Sequence, residues 1–442
     1  MTTPKQFLDP HTCSTAMTSA GNNAPLRTTY AADAGLKTWI LLVIIAIAFC
    51  GAALVFAEGQ APQAQAPAPA QQPQYQVSDL PSLGGTNSRG NSINNRDWVA
   101  GYSTLAGNQS RHAALWRNGA VLDLGTLGGP NSTVVWSVKN TRGLLAGIAQ
   151  TSLPDPLGEA WSSAAFYGGP NNAGYINLGF VWEHGQMRGL STLGGNNGFA
   201  TGANNQGLVV GWAENSVQDA TCVPPQVLQF RPVSWDVTRH DQIHEFPLIA
   251  GDTSGAATAI NDRLQAVGIS GICDQAVGRY TARHAVLWQN GGVTDIGDLG
   301  AQWWNTPTAI NQGGDVVGFA GDHAFPEGDL LHAFIWTRHG GIRALGALPG
   351  RVPAHVHSEA YGINERRQVV GISCDANFVD CRAFVWENDV MRDLNDLKAP
   401  GYSARLEQGK DINDNGEITG RAIDPVTGLR TAFLAVPAHG HQ

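Results

Sequence analysis

The sequence predicts an all-β fold, a seven-bladed β-propeller of four-stranded blades. Three observations lead to it: a repeated hairpin, an aromatic strand after each hairpin, and an offset between the two ends of the repeat array. The clearest hairpin covers residues 310–318, and the other six copies start at Ile93, Lys139, Ala203, Ile260, Ile363 and Ile412. Every copy has Asn in second and Gly in ninth place, and a period of about 50 residues fits a four-stranded unit.

Each copy of the repeat predicts the two strands a and b of one unit. In the fourth copy, small residues at 257–260 lead into a polar turn at 261–263 and out through 266–268. Polar turn residues between two apolar runs are the hairpin signature. Strand a is expected to be innermost, because its small side chains suit the place where seven strands crowd one axis.

An aromatic run downstream of each hairpin predicts strand c, and a further strand d completes the unit. Strand c is seen at 112–116, 284–288, 332–336 and 382–386. Strand d is expected to end in the glycine-rich runs at 124–129, 193–195 and 345–348. Alternating β-forming residues over this length are typical of strands.

The two ends of the array predict that it closes on itself. The first recognisable element, 76–85, is an isolated strand d, whereas the last, 431–435, is an isolated strand c. The seventh unit therefore lacks a strand d, and the N-terminal element is a strand d without a unit of its own. Pairing this strand with the seventh unit would close a ring without exposed edges. A β-sandwich or a parallel β-helix would explain neither the seven units nor the offset.

The same motifs carry a resemblance to a known family. The His-Ala-Phe of strand c, the Ile-Asn…Val-Val-Gly hairpin and the Leu-Gly-Thr-Leu-Gly-Gly run resemble the HAF repeat family of extracellular repeat proteins. The resemblance covers roughly residues 76–436, with Lys139 and Ala203 departing from the usual Ile. It implies an exported repeat protein and supplies no catalytic residues.

The chain ahead of the repeats predicts export. A tail at 1–37 precedes an uncharged apolar segment at 38–57, which is long enough to span a bilayer as a signal anchor and also resembles a signal peptide. An Ala/Pro/Gln-rich linker at 58–75 should be extended and disordered. The propeller is expected at 76–437, with a short tail at 438–442. Both forms of export place the repeats outside the cytoplasm, secreted, periplasmic or anchored with the propeller outside.

The net charge limits the classes of partner that we expect, and the cysteine content indicates the cellular compartment. The formal net charge of -9 argues against nucleic acid or an anionic lipid surface as a partner. Four cysteines fall in the repeats, and an even number suits an oxidising compartment. We expect two disulfides, Cys222 with Cys273 and Cys374 with Cys381. We also expect a monomer, with the membrane as a partner only if the apolar segment is retained.

Loop lengths predict the face that carries a site. The b-to-c and d-to-a connections hold nearly all the length variation, and function usually lies on variable loops over a rigid scaffold. Trp161 and Tyr167 lie in the longest of these loops, and Trp303 and Trp304 precede strand a of unit five. Their aromatic faces suit stacking on sugars or peptides, although packing between blades explains them equally.

A histidine-rich stretch offers a second group of candidate ligand-binding residues. His355, His357 and Glu359 alternate, so an extended strand should point all three to one side. Imidazole and carboxylate can bind a transition metal, but no fourth ligand is evident, so no metal and no cofactor is predicted. The EF-hand-like run at 411–416 is interpreted as a hairpin turn.

These observations favour a non-enzymatic binding or interaction module that recognises a glycan, a peptide or a protein. An extracytoplasmic hydrolase or lyase is the alternative, with Asp322 and His323 joining the residues at 355–359 in the axial pocket. A structural wall or matrix component is a third hypothesis. No nucleophile elbow, phosphate loop or Cys-x-x-Cys pair is present in the sequence.

Overall fold

The computed structural model describes residues 75–159, 166–167, 174–274, 278–322 and 330–438. The predicted export segment at 38–57, the linker up to 74 and the tail from 439 lie outside the described residues. In the part of the chain that the structure describes, no helix is long and apolar enough to cross a membrane.

The predicted all-β fold is confirmed, and its strands form consecutive four-stranded antiparallel groups. The first group contains β2 (Gly84–Ile93), β3 (Val99–Leu105), β4 (Arg111–Arg117) and β5 (Ala120–Asp123). The second contains β6 (Gly128–Thr133), β7 (Leu145–Pro154), β8 (Tyr175–Glu183) and β9 (Gln186–Gly189). The third contains β10 (Gly194–Ala203), β11 (Leu208–Gln218), β12 (Leu228–Asp236) and β13 (Gln242–Glu245), with a 3-10 helix at Val237–Arg239.

The same order of strands continues along the chain. The fourth group contains β14 (Ser254–Ile260), β15 (Ala266–Gly271), β16 (His284–Gln289) and β17 (Gly292–Asp295). The fifth contains β18 (Thr306–Ile310), β19 (Val316–Asp322), β20 (Leu330–Thr337) and β21 (Gly341–Gly346). The sixth contains β22 (His355–Ile363), β23 (Val369–Asp375), β24 (Cys381–Glu387) and β25 (Val390–Asp393), followed by the helix α1 (Leu394–Leu397).

The last group contains strands from both ends of the described chain. Its strands are β26 (Arg405–Ile412), β27 (Ile418–Ile423), β28 (Arg430–Pro437) and β1 (Tyr75–Asp79). The strand β1 pairs antiparallel with β28, with Tyr75 opposite Pro437, which is the pairing expected from the offset ends. A single parallel bridge between Asn87 and Arg430 also connects β28 to β2, so this group and the first form one continuous sheet.

Two strand boundaries predicted from the sequence are wrong. Strand d was expected to end in the glycine-rich runs at 124–129 and 193–195, but β5 ends at Asp123 and β9 at Gly189, while β6 begins at Gly128 and β10 at Gly194. These runs therefore cover the connection from d to a and the start of the next strand a. Gly125 and Gly128 have φ values of 77° and 104°, a left-handed backbone that turns the chain out of one sheet and into the next.

The repeated asparagine forms its own turn and also binds the next turn. Oδ1 of Asn261 accepts hydrogen bonds from the backbone N–H groups of Arg263 and Gln265, both at 3.0 Å. Its Nδ2 donates to the carbonyl oxygen of Asn311 at 3.0 Å. Equivalent bonds between neighbouring hairpins run from Asn94 to Asn140, Asn140 to Ala203, Asn204 to Asn261, Asn311 to Asn364, Asn364 to Asn413, and Asn413 back to Asn94.

The glycine in ninth place is explained by a close approach of strand a. A Cβ atom added at Gly318 would lie 2.1 Å from the carbonyl oxygen of Thr306, far inside van der Waals contact. The a–b ladder shifts register beside it, between Pro307 and Ala309. The same clash, at 1.8 to 2.3 Å, would occur at the other six closing glycines.

Unit two differs in structure from the other units at the position where its sequence also differs from theirs. Its strand β6 ends at Thr133, and Lys139, which replaces the usual Ile, extends its side chain across to distant units. Lys139 Nζ donates to the carbonyl oxygens of Ile363 at 2.8 Å and Ile412 at 2.6 Å. It also lies 3.0 Å from Asp411 Oδ1, a fully buried carboxylate. The substitution thus neutralises a buried charge.

Large side chains fill the spaces between neighbouring sheets. Phe180 and Trp182 of β8 belong to one buried cluster with Val209 of β11 and Trp235 of β12. Burial of one such side chain contributes about 1.5–3 kcal/mol. Strands b and c therefore supply these bulky packing residues.

Both predicted disulfides are present. Cys222 and Cys273 connect the b-to-c connections of units three and four, and their sequence separation is 51 residues. Cys374 and Cys381 face each other at the ends of β23 and β24, only 7 residues apart. Disulfides persist in oxidising compartments, so the pair fits a protein exposed to such conditions.

We expect the turn asparagine to carry more stability than its exposed neighbours. Asn261→Ala should lower the free energy of unfolding by about 2–4 kcal/mol, because it leaves buried backbone groups in two hairpins without partners. Urea denaturation measures the change, with Arg263→Ala at an exposed position of the same turn as control. Equal stability of the two variants would contradict this role.

We also expect the two disulfides to differ in their contribution. Loop-closure entropy predicts a loss of about 4 kcal/mol for Cys222→Ala with Cys273→Ala, against about 2.4 kcal/mol for Cys374→Ala with Cys381→Ala. Urea denaturation without reductant compares the two double variants with the wild type. The opposite order of stabilities would show that loop length does not dominate.

Candidate functional site

A pocket of about 260 Å³ lies where the variable connections of three units meet. Its walls come from the start of β2, from the b-to-c connections of units one and seven, and from Tyr167 in the long loop of unit two. The lining residues are Thr86, Asn87, Thr104, Asn108, Gln109, Ser110, Arg111, Tyr167, Gly428 and Arg430. The pocket is therefore on the type of connection that the sequence analysis selects.

The pocket is positively charged in an acidic protein. Among the described residues, two guanidinium groups line it, those of Arg111 and Arg430, and no acidic residue does. No described carboxylate lies within 4.0 Å of Arg430, and its Nε is buried without a hydrogen-bond partner among the described residues. A chain with a net charge of -9 thus concentrates positive charge at one concave site.

Arg111 is held rigidly by aromatic and backbone groups. Its guanidinium carbon lies 3.8 Å from the centre of the Tyr102 ring, and Nη1 donates to the carbonyl oxygen of Phe166 at 2.7 Å. Arg89, which is 5 % exposed, approaches the same Tyr102 ring at 5.3 Å. Such contacts fix the direction of a guanidinium before a ligand arrives.

Tyr167 is a buried polar group that lines the pocket. Its side chain is 1 % exposed, and its hydroxyl has no hydrogen-bond partner among the described residues. Burial raises the pKa of Tyr167 well above its ordinary value, so the hydroxyl stays protonated. Buried hydroxyls normally have a partner, and a ligand or a water molecule can supply one.

Neutral polar groups complete the lining. Asn108 Oδ1 accepts from the backbone N–H of Thr86 and from Thr104 Oγ1, both at 2.8 Å, which orients the amide. Tyr102 Oη donates to Asn87 Oδ1 at 3.4 Å. In the described residues the Nδ2 groups of Asn87 and Asn108 make no hydrogen bond, so both can donate to a ligand.

Of the aromatic residues selected from the sequence, only Tyr167 lines this pocket. Trp161 lies outside the described residues. Trp303 stacks with Arg279 at 4.8 Å, and Trp304 is partly buried against a cluster that contains Phe319. The structure does not bring the Trp pair together with Tyr167, and a ligand-binding role for the pair stays a prediction.

The histidine-rich stretch is buried and bonded within the protein. His355 Nδ1 lies 3.1 Å from Ser373 Oγ, and Nε2 lies 3.4 Å from Asp380 Oδ2. His357 Nδ1 accepts from the backbone N–H of Leu331 and its ring stacks on Phe378 at 4.2 Å. A register shift between the two histidines interrupts the expected alternation, so their rings have separate partners.

The other candidate residues for a pocket at this stretch either contact protein groups or lie outside the described residues. Glu359 Oε2 accepts a hydrogen bond from Tyr361 Oη at 2.6 Å. Asp322 ends β19, and His323 lies outside the described residues. No group of three or more His, Cys, Asp or Glu side chains could hold a metal ion within the described residues.

Two buried carboxyls, those of Glu159 and Glu214, lie close together. Gln226 Nε2 donates to both, at 3.2 Å to Glu159 Oε1 and at 3.0 Å to Glu214 Oε1. Burial and the charge of Glu159 raise the pKa of Glu214 to about 7, and burial also raises the pKa of Glu159. The Cys222–Cys273 bridge connects the b-to-c connection of unit three, which contains Gln226, to unit four. Through Gln226 the acid pair therefore links the long loop of unit two to that connection.

The two arginines of the pocket were not selected from the sequence, although their shared position in strand c is a signal that could have indicated them. Arg111 and Arg430 occupy the same position of strand c, one residue before the His112 and Thr431 positions. Arg283 holds that position in unit four, where Asp252 lies 3.9 Å away. Only the fold reveals that Arg430 lacks such a carboxylate among the described residues.

Comparison with known proteins gives no further identification. No protein-family model matches the chain, and no curated protein is significantly similar to it.

The buried acid pair predicts a pH-dependent stability. Because the folded state holds the Glu214 proton up to about pH 7, the free energy of unfolding should fall as pH rises from about 4.5 to 7. The loss should approach about 3 kcal/mol, and Glu214→Gln should remove it because an amide mimics the protonated acid. Urea denaturation at several pH values measures the slope, with Glu365→Gln at an exposed position as control. An unchanged slope in Glu214→Gln would refute the assignment.

Proposed function

We propose that the seven four-stranded groups form a closed seven-bladed β-propeller. The support comes from the seven hydrogen bonds that link successive turns and return from Asn413 to Asn94. The pairing of β1 with β28 supports it further, because this strand completes the last group. In such a ring the b-to-c and d-to-a connections share one face.

We further propose that the propeller works outside the cytoplasm. The two disulfides suit an oxidising compartment, and the uncharged apolar segment at 38–57 supplies an export signal. The resemblance of the repeated motifs to the HAF repeat family of extracellular proteins points the same way.

We propose that the protein is a binding module, with its ligand site in the Arg111–Arg430 pocket. The observation that carries this proposal is the concave site with two guanidinium groups and no acidic lining. Convergent polar groups in a preformed pocket are typical of ligand sites. The candidate groups for a hydrolase, His355, His357 and Glu359, contact protein partners instead, so no observation favours the enzyme.

A binding screen of the full chain against glycans and peptides tests the proposal. Arg430→Glu should weaken binding at least tenfold, because it reverses a charge that lines the pocket. Arg263→Glu introduces the same change of charge in an exposed a-to-b turn at the other end of the strands, and it should leave binding unchanged. Equal effects of the two variants, or retained binding in Arg430→Glu, would reject the pocket as the site.

A further inference from the structure

We infer that this pocket takes the ring of an acidic monosaccharide, a hexuronate residue, either free or as the end of a glycan. The inference rests on the proposed binding function and names the chemical class of its ligand.

The charged part of the pocket fits a carboxylate. Guanidinium groups bind carboxylates through two parallel N–H donors, a geometry that lysine cannot provide. Arg430 has a buried Nε without a partner among the described residues, and its equivalent Arg283 lies 3.9 Å from Asp252. The Arg430 side chain is half-buried, and a carboxylate on the ligand would supply the acidic partner that Asp252 supplies beside Arg283.

The neutral part of the pocket fits hydroxyl groups. Six of the ten lining residues are Thr, Ser, Asn or Gln, which donate and accept hydrogen bonds. The Nδ2 groups of Asn87 and Asn108 and the hydroxyl of Tyr167 have no hydrogen-bond partner among the described residues, so each can bond to a polar ligand. A sugar ring presents hydroxyls on every side, and each hydroxyl can both donate to and accept from such groups.

The size of the pocket fits one ring. A volume of about 260 Å³ corresponds to roughly nine water molecules at about 30 Å³ each, which is room for a single monosaccharide. The rim at Thr86, Asn108, Gln109 and Gly428 is exposed, so a glycan could continue from the ring into solvent. Tyr167 is the one aromatic residue in the described lining, so this lining offers little surface to an apolar side chain.

Isothermal titration of the full chain tests the inference with defined probes. The probes are glucuronate, glucose, acetate, inorganic phosphate, an oligosaccharide ending in glucuronate, and a glutamate-rich peptide. Glucuronate should bind at least tenfold more tightly than glucose, acetate or phosphate, because only it offers both a carboxylate and hydroxyls. Stronger binding of the oligosaccharide would identify a glycan end as the source, and equal binding would identify the free acid.

A matched pair of variants assigns the binding to Arg430. Arg430→Lys keeps the charge but loses the two-pronged donor, and it should weaken glucuronate binding about tenfold or more. Arg283→Lys makes the same change at the equivalent position of unit four and should have no effect. Urea denaturation of both variants verifies that they remain folded.

The outcomes separate this inference from the proposed function. Equal affinity for glucose, or for acetate or phosphate, would overturn the acidic sugar. Binding of the peptide but not glucuronate, with loss in Arg430→Lys, would also overturn it and leave the binding function standing. No Arg430-dependent binding of any probe, together with a negative screen of glycans and peptides, would reject both.

Discussion

The architecture depends on one asparagine side chain that makes two kinds of contact. Its carbonyl oxygen closes the turn of its own hairpin, and its amide nitrogen binds a backbone carbonyl of the next hairpin. Each turn is therefore bonded both within its own hairpin and to the neighbouring unit. This arrangement converts seven short, local repeats into one cooperative structure, because an amide group without its partner inside the protein costs free energy.

The scaffold was predictable because its signals are local and repeated. The asparagine, the closing glycine and the aromatic strand recur at fixed spacing, and both cysteine pairs follow from their places in the units. The glycine-rich run at 124–129 misled the assignment of strand d, since left-handed backbone at Gly125 and Gly128 ends one sheet and begins another. The spacing of residues in a sequence does not reveal the backbone angle φ, so the end of strand d could be located only in the structure.

The pocket was not predictable for a different reason. Its walls combine residues near 86, 110, 167 and 430, which come together only because the ends of the described chain pair. Arg430 and Arg283 look alike in sequence, and the difference between them is the carboxylate of Asp252. The repeated positions build the scaffold, whereas the proposed ligand site lies where Arg430 lacks, among the described residues, the carboxylate partner that Arg283 has.

Because of where the pocket lies, a bound ligand would affect the stability of the fold. Thr86 and Asn87 belong to β2, and Arg430 belongs to β28, so the pocket lies across the junction between the first and last units. A single backbone bridge, from Asn87 to Arg430, connects the two strands there. A ligand held by groups on both strands adds contacts across the junction, and it stabilises the folded protein through the free energy of binding. Under the proposed function, occupancy of the pocket and stability of the fold are thus thermodynamically linked at the junction between β2 and β28.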